Sequence, residues 1–186
     1  MVLLVDWQIR RAVEAGQIGI DGYDSANVGP NSYDVTLAGD FYACPPNTGV
    51  CEKVIDPRCG VLQMCRENKS TFYIQPGEFI LGSTVEYFKI EPGIVAFVHG
   101  RSSWARIGLQ IHAAGLLDSG WEGNITLEIV NFSNRSIVLR DGDRIGQVTF
   151  DQVEVCETPY YAREKSKYDR QVGATESRLC RDYSES

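Results

Sequence analysis

The chain has 186 residues, 43% of them hydrophobic and 10% aromatic, enough for one ordinary core without disulfide or metal staples. With 18 Lys and Arg against 25 Asp and Glu, the net charge of -7 excludes a protein drawn to nucleic acid or an anionic membrane by its overall field, so a polyanionic ligand must be held by a few local cations. The apolar runs at 2–5 and 94–98 are too short to cross a bilayer and the start lacks a signal-peptide pattern, so one cytoplasmic domain over 1–186 is expected.

In chain order, Trp7, Ile9 and Val13 follow Asp6 and stop at Gly16, which predicts a short amphipathic helix with an acidic cap. Val, Ile, Thr, Phe and Tyr then dominate 32–37, 71–75, 79–90, 94–98, 124–132 and 144–155, which predicts strands. Gln75-Pro76-Gly77-Glu78, Glu91-Pro92-Gly93 and Arg140-Asp141-Gly142-Asp143 supply the turns between them. Short strands at this spacing predict an all-β sandwich or barrel, not a βαβ sheet. An insertion at about 43–66 carries Cys44, Cys51, Cys59 and Cys65 among prolines and glycines. No pair has the C-x-x-C spacing of a zinc knuckle, and a loop of reduced thiols fits the pattern as well as a structural metal does. From Tyr160 onward the chain turns polar and reads as a mobile tail over about 160–186.

Three stretches carry residues suited to chemistry. In Gly100-Arg101-Ser102-Ser103-Trp104-Ala105-Arg106, Ser102 and Arg106 stand four apart, so on a helix they share one face beside Arg101, an arrangement suited to phosphate; a capped surface helix is the alternative. In the bend 114–123, Asp118 is placed to accept from a sugar hydroxyl or a water, and Trp121 to pack on a sugar or base; an ordinary turn is the alternative. Glu128 shares one strand face with Thr126 and Val130, and a carboxylate there either faces water or is held in a pocket for proton transfer.

Segments 100–108, 114–123, 126–131 and 142–150 resemble, in order, the motifs of the dCTP deaminase and dUTPase superfamily. Ser32-Tyr33-Asp34-Val35-Thr36-Leu37, with Lys167-Tyr168, Gln171, Gly173, Ser177 and Arg178, is similar to dCTP deaminases in particular. The resemblance implies a dUTPase-like (β-clip) fold, a distorted β-barrel or jelly roll assembled as a homotrimer with active sites between subunits. It implies that Arg101, Ser102 and Ser103 hold the phosphates with Gln147 from a neighbouring chain, and that Asp118 and Trp121 hold the deoxyribose. Tyr160, Lys167, Tyr168 and Gln171 become a C-terminal lid over the nucleotide and its Mg²⁺. Glu128 becomes the general base and acid, with Ser102 and Arg106 placing the water. The implied reaction converts dCTP to dUTP and ammonia, and one carboxylate shuttling protons is chemically sufficient for it.

The zinc-dependent nucleobase deaminases carry H-x-E and P-C-x-x-C signatures, which this sequence lacks, so zinc-independent catalysis is expected. Glu128 stands where dUTPases generally have an apolar residue, and so argues for deamination. Ala114-Gly115-Leu116-Leu117-Asp118 resembles dUTPases and the bifunctional deaminases that release dUMP and pyrophosphate. The stretch between His112 and Ala114 is one residue shorter than the usual His-x-Thr-Ala, which bears on water placement and on dTTP as an inhibitor. A dUTPase without deamination, or a nucleotide-binding regulator without turnover, remains an alternative at this point.

Overall fold

A computed structural model describes residues 2–43, 64–112 and 115–183. Cys44, Cys51 and Cys59, and the shortened stretch at 113–114, lie outside the described residues. The elements in chain order are β1 (Val2–Leu3), α1 (Asp6–Glu14), β2 (Ile18–Asp21), β3 (Tyr33–Ala43), β4 (Cys65–Asn68), β5 (Thr71–Ile74), β6 (Phe79–Ile90), β7 (Ile94–Gly100), α2 (Ser102–Ala105), β8 (Leu109–His112), β9 (Leu116–Leu117), β10 (Glu122–Asn131), β11 (Ile137–Arg140) and β12 (Arg144–Gln152).

Helix α1 buries Ile9 and Ala12. Its cap is Val5, whose backbone N–H donates to the Gln8 side chain at 3.0 Å. Asp6, expected as the cap, is instead the first helical residue, where it pairs with Arg10 at 3.0 Å and complements the helix dipole.

Alternation makes the sheet. Among the described residues ten strands form one sheet, with the path β8-β10-β6-β3-β12-β7-β9 and with β1, β2 and β4 added at β12, β6 and β3. The sheet curls into a half-barrel, and β5 pairs separately with β11. Odd-numbered residues of β10 are buried while even-numbered ones are half-buried, so Glu128, Thr126 and Asn124 line the outer face. Tyr33, Leu37, Phe41, Ile80, Phe88, Ile129 and Phe150 fill the interior. No described helix is long and apolar enough to cross a membrane.

Strand β3 continues past the predicted end at Leu37 to Ala43, and β12 stops at Gln152, short of the predicted 155. The unpredicted β1, β2, β4, β8 and β11 have two to four residues each, too few to display a period, while β9 is the strand expected to run into the turn within 114–123. Buried polar groups mark the irregular joints. Glu86, 2% exposed, accepts from the Thr36 hydroxyl at 2.7 Å and from its backbone N–H, beside a register shift between β3 and β6. Asn131, fully buried, ties the end of β10 to Ile74 and Ser133.

Candidate active site

One end of β7 carries the cationic groups. After Gly100 the chain enters the single turn α2, with Arg101 at its N-cap and Arg106 at its C-cap. The Arg106 N–H donates to the Ser102 carbonyl at 3.0 Å, so the expected helical turn forms, and Ser102, Ser103 and Arg106 are exposed on it. Arg101 is pinned: Nη1 donates to the Arg144 carbonyl at 3.2 Å, and Nη2 lies 3.3 Å from Asp34 Oδ2. The indole N–H of Trp104 donates to the same carbonyl at 2.9 Å. Arg144 reaches Asp34 Oδ2 from the other side, at 3.6 Å. Two guanidinium groups around one carboxylate leave a net positive corner suited to a polyanion.

Strand register places Gln147 there as well. Asp34 pairs with Gln147 across β3 and β12, and Gln147 with His99 across β12 and β7, so the three share one sheet face in a row. His99 continues the row by contacting the Thr149 hydroxyl at 3.2 Å through Nε2. An open cleft of about 600 Å³ adjoins this end, lined by Phe97, Val98, His99, Gly100, Ile111 and Leu116 among others.

The opposite end of β7 carries Asp118 and Trp121. Strand β9 pairs Leu117 with Ala96 and so runs back toward the start of β7. The Ser119 hydroxyl donates to the Ile94 carbonyl at 2.6 Å, and Asp118 is half-buried at the bend. Trp121 is only 5% exposed, and its indole N–H donates to the Tyr168 carbonyl at 3.1 Å. The expected lid residues gather around this bend. Tyr160 N–H donates to the Ser119 carbonyl at 2.8 Å, and the Tyr160 hydroxyl accepts from Tyr168 N–H at 3.2 Å. Lys167 pairs with Asp182. Gln171, 8% exposed, forms a parallel bridge with Gly123.

The two groups do not meet within one chain. Asp118 stands beyond the Ala96 pairing while Arg101 follows Gly100, a separation along β7 of roughly 20 Å at ~3.3 Å per residue. Glu128 does not lie between the groups in sheet order, since β10 sits next to the edge strand β8 whereas the arginine corner is on β3, β12 and β7 and the path ends at β9. Glu128 is half-buried on β10, opposite Leu81 on β6 and His112 on β8 in register, and the C-terminal segment covers the strand face just before it. Asp34, Arg144, His99 and Asn124 had no assignment from the sequence. Arg144 and Asp34 were already within resembling motifs, and their position beside Arg101 depends on the ladder between β3 and β12.

A family model described as dCTP deaminase-like matches residues 3–153. The dUMP-forming dCTP deaminase of Methanospirillum hungatei is 37% identical over 184 residues, covering 95% of this chain and 96% of its own. That of Persephonella marina is 37% identical over 182 residues, covering 97% and 99%. The solved 2′-deoxycytidine 5′-triphosphate deaminase of Agrobacterium tumefaciens shares the fold, with a TM-score of 0.59 and 21% identity over 81% of this chain and 47% of that one.

Proposed function

The chain belongs to the dCTP deaminase-like family, and we propose that it is an enzyme that deaminates dCTP and carries the nucleotide on to dUMP. The observation that carries this reading is Glu128, a half-buried carboxylate on a strand face that the C-terminal segment partly covers. Glu128 takes a proton from water as the oxygen adds to C4 of cytosine and gives it to N3, then takes the remaining proton from the new C4 hydroxyl and gives it to the departing amine. C4–N breaks, ammonia leaves, and the carboxylate ends in its starting state. Ser102 and Arg106 hold the water. A second water then attacks the α-phosphorus, pyrophosphate leaves, and Asp118 serves at the deoxyribose end with Trp121 packed behind it.

Arg101, Ser102, Ser103 and Gln147 are the phosphate ligands in this reading, and the net positive corner of Arg101, Asp34 and Arg144 supports it. The reading assigns Asp118 and Arg101, at opposite ends of β7, to neighbouring subunits of a homotrimer with shared sites. Tyr160, Lys167, Tyr168 and Gln171 close over the substrate. Mg²⁺ arrives on the triphosphate in this reading, where it neutralises phosphate charge. The proposal includes zinc-independent catalysis, dTTP as an inhibitor and a cytoplasmic location.

Incubation with dCTP and Mg²⁺, with ammonia, dUMP and pyrophosphate measured together, tests the reading. Glu128→Gln is expected to lower ammonia release by at least about a hundredfold. Equal release from the variant, or hydrolysis of dUTP with dCTP untouched, overturns it.

A further inference from the structure

The C-terminal segment does not merely rest on β10. Asn124 holds it with backbone and side chain together. Its N–H donates to the Gln171 carbonyl at 2.9 Å, its carbonyl accepts from Gln171 Nε2 at 2.7 Å, and its Oδ1 accepts from Gly173 N–H at 3.0 Å. The remaining side-chain group, Nδ2, donates to the carbonyls of Thr84 at 3.1 Å and Glu86 at 3.0 Å, which locks the amide against β6 where the β6–β10 register shifts. Asn124 is therefore a joint between the sheet and the tail, with its geometry set from the sheet side.

Independent features show that the docked path is built into the chain. Gly123 has φ +152, and a Cβ there would lie 3.0 Å from Gln171 Cγ and 3.1 Å from its backbone N, so the segment approaches as closely as a glycine permits. Gly173 has φ +70, and a Cβ would meet Asp40 Oδ2 at 2.4 Å, while that same oxygen accepts from Ala174 N–H at 3.0 Å. Arg170 is a non-glycine residue at φ 53, a strained turn that persists because its N–H is held by the Glu122 carbonyl at 2.7 Å. The segment runs parallel to β10, from Gln171 beside Gly123 to Thr175, whose N–H donates to Thr126 Oγ1 at 3.2 Å. The next residue on that face is Glu128.

We propose that Asn124 is the positioning residue that sets the register of segment 171–175 over the strand face carrying Glu128, so that closure over the base occurs in one alignment. This rests on the reading of Glu128 as the catalytic carboxylate. A slip by one residue would present alternate side chains of the segment to that face and withdraw Gln171 from its place.

Limited trypsin digestion of the full-length protein, followed by mass spectrometry at Lys167 and Arg170, tests the joint without any turnover, and dCTP kinetics test its purpose. Asn124→Ala is expected to be cut there about tenfold faster than the wild type, for the loss of interactions made by one side chain. Gly173→Ala strains the segment where it approaches Asp40, leaves Asn124 and its bonds to β6 in place, and is expected to accelerate the same cuts. Both variants are expected to raise KM for dCTP about tenfold while kcat changes less than about twofold, because the docking is shared by ground state and transition state. Cutting unchanged in Gly173→Ala and Asn124→Ala overturns the joint. Faster cutting with KM unchanged in both overturns the positioning role. A wild type that releases no ammonia from dCTP refutes the functional reading instead, and the digestion still decides the joint.

Discussion

Arg101 and Gln171 both come from polar stretches of the chain, yet they are held in different ways. Arg101 belongs to a corner made by adjacent strands: register aligns Asp34 with Gln147 and Gln147 with His99, and the arginine is fixed by one carboxylate and one carbonyl. Gln171 belongs to a segment that pairs with the sheet through a single parallel bridge and a handful of side-chain contacts. The first arrangement persists as long as the sheet does. The second can open at the cost of a few hydrogen bonds, which suits a region that must admit and release a nucleotide. In the proposed reading, a rigid polyanion corner and a removable cover divide recognition from closure.

The sharpest way to break this contrast is at the rigid end. Arg101→Ala is expected to lower kcat/KM for dCTP about a hundredfold, since it removes the guanidinium that the proposed reading assigns to charge-assisted bonds with phosphate. Arg101→Lys is expected to cost about tenfold, because a single ammonium replaces the planar fork that reaches both Asp34 and the Arg144 carbonyl. Neither should alter trypsin cutting after Arg170, and a change there would merge the two regions into one unit.

At the cover, a smaller effect is expected. Trp121→Phe keeps the aromatic body and removes the indole N–H held by Tyr168, so tail cutting should rise about fivefold for the loss of one hydrogen bond. Unchanged cutting would mean that packing alone holds this part of the tail.

The smallest effect concerns pH. Burial, followed by the hydrogen bond to Glu122 at 2.9 Å, pushes the Tyr87 phenol up from 10.0 to about 12. Since the folded value is raised, the neutral phenol stabilises the fold fully below pH 10.0, and that contribution is lost as pH rises through about 12. Thermal melting of the wild type should therefore fall over that window, and Tyr87→Phe should show a shallower fall. Because Glu122 also holds Arg170 N–H through its carbonyl, the loss should loosen the tail before it affects the arginine corner. Equal slopes for both proteins would contradict this assignment.

Much of the fold was legible in residue order because long strands advertise themselves. The alternation over 124–132 marked β10 and put Glu128 on one face with Thr126 and Val130, which the structure makes the less buried one, and Pro-Gly and Asp-Gly turns separated the strands on either side. The family motifs, being local runs, were readable in the same way. Of the two-to-four-residue strands, β5 was legible at 71–75, while β1, β2, β4, β8 and β11 were not, since pairing rather than propensity creates them.

The sequence by itself determined the chemistry available: a carboxylate at 128, hydroxyls at 102 and 103, arginines at 101 and 106, and a polar end to the chain. Only the tertiary structure decided which of these meet. Register through β12 brings Asp34 and Arg144 to Arg101, the direction of β9 carries Asp118 to the far end of β7, and Asn124 draws the tail onto β10. The physical reason is that spacing along a chain fixes neighbours only within one strand or one helical turn, whereas contacts across strands depend on register, bulges and docking that no local run encodes.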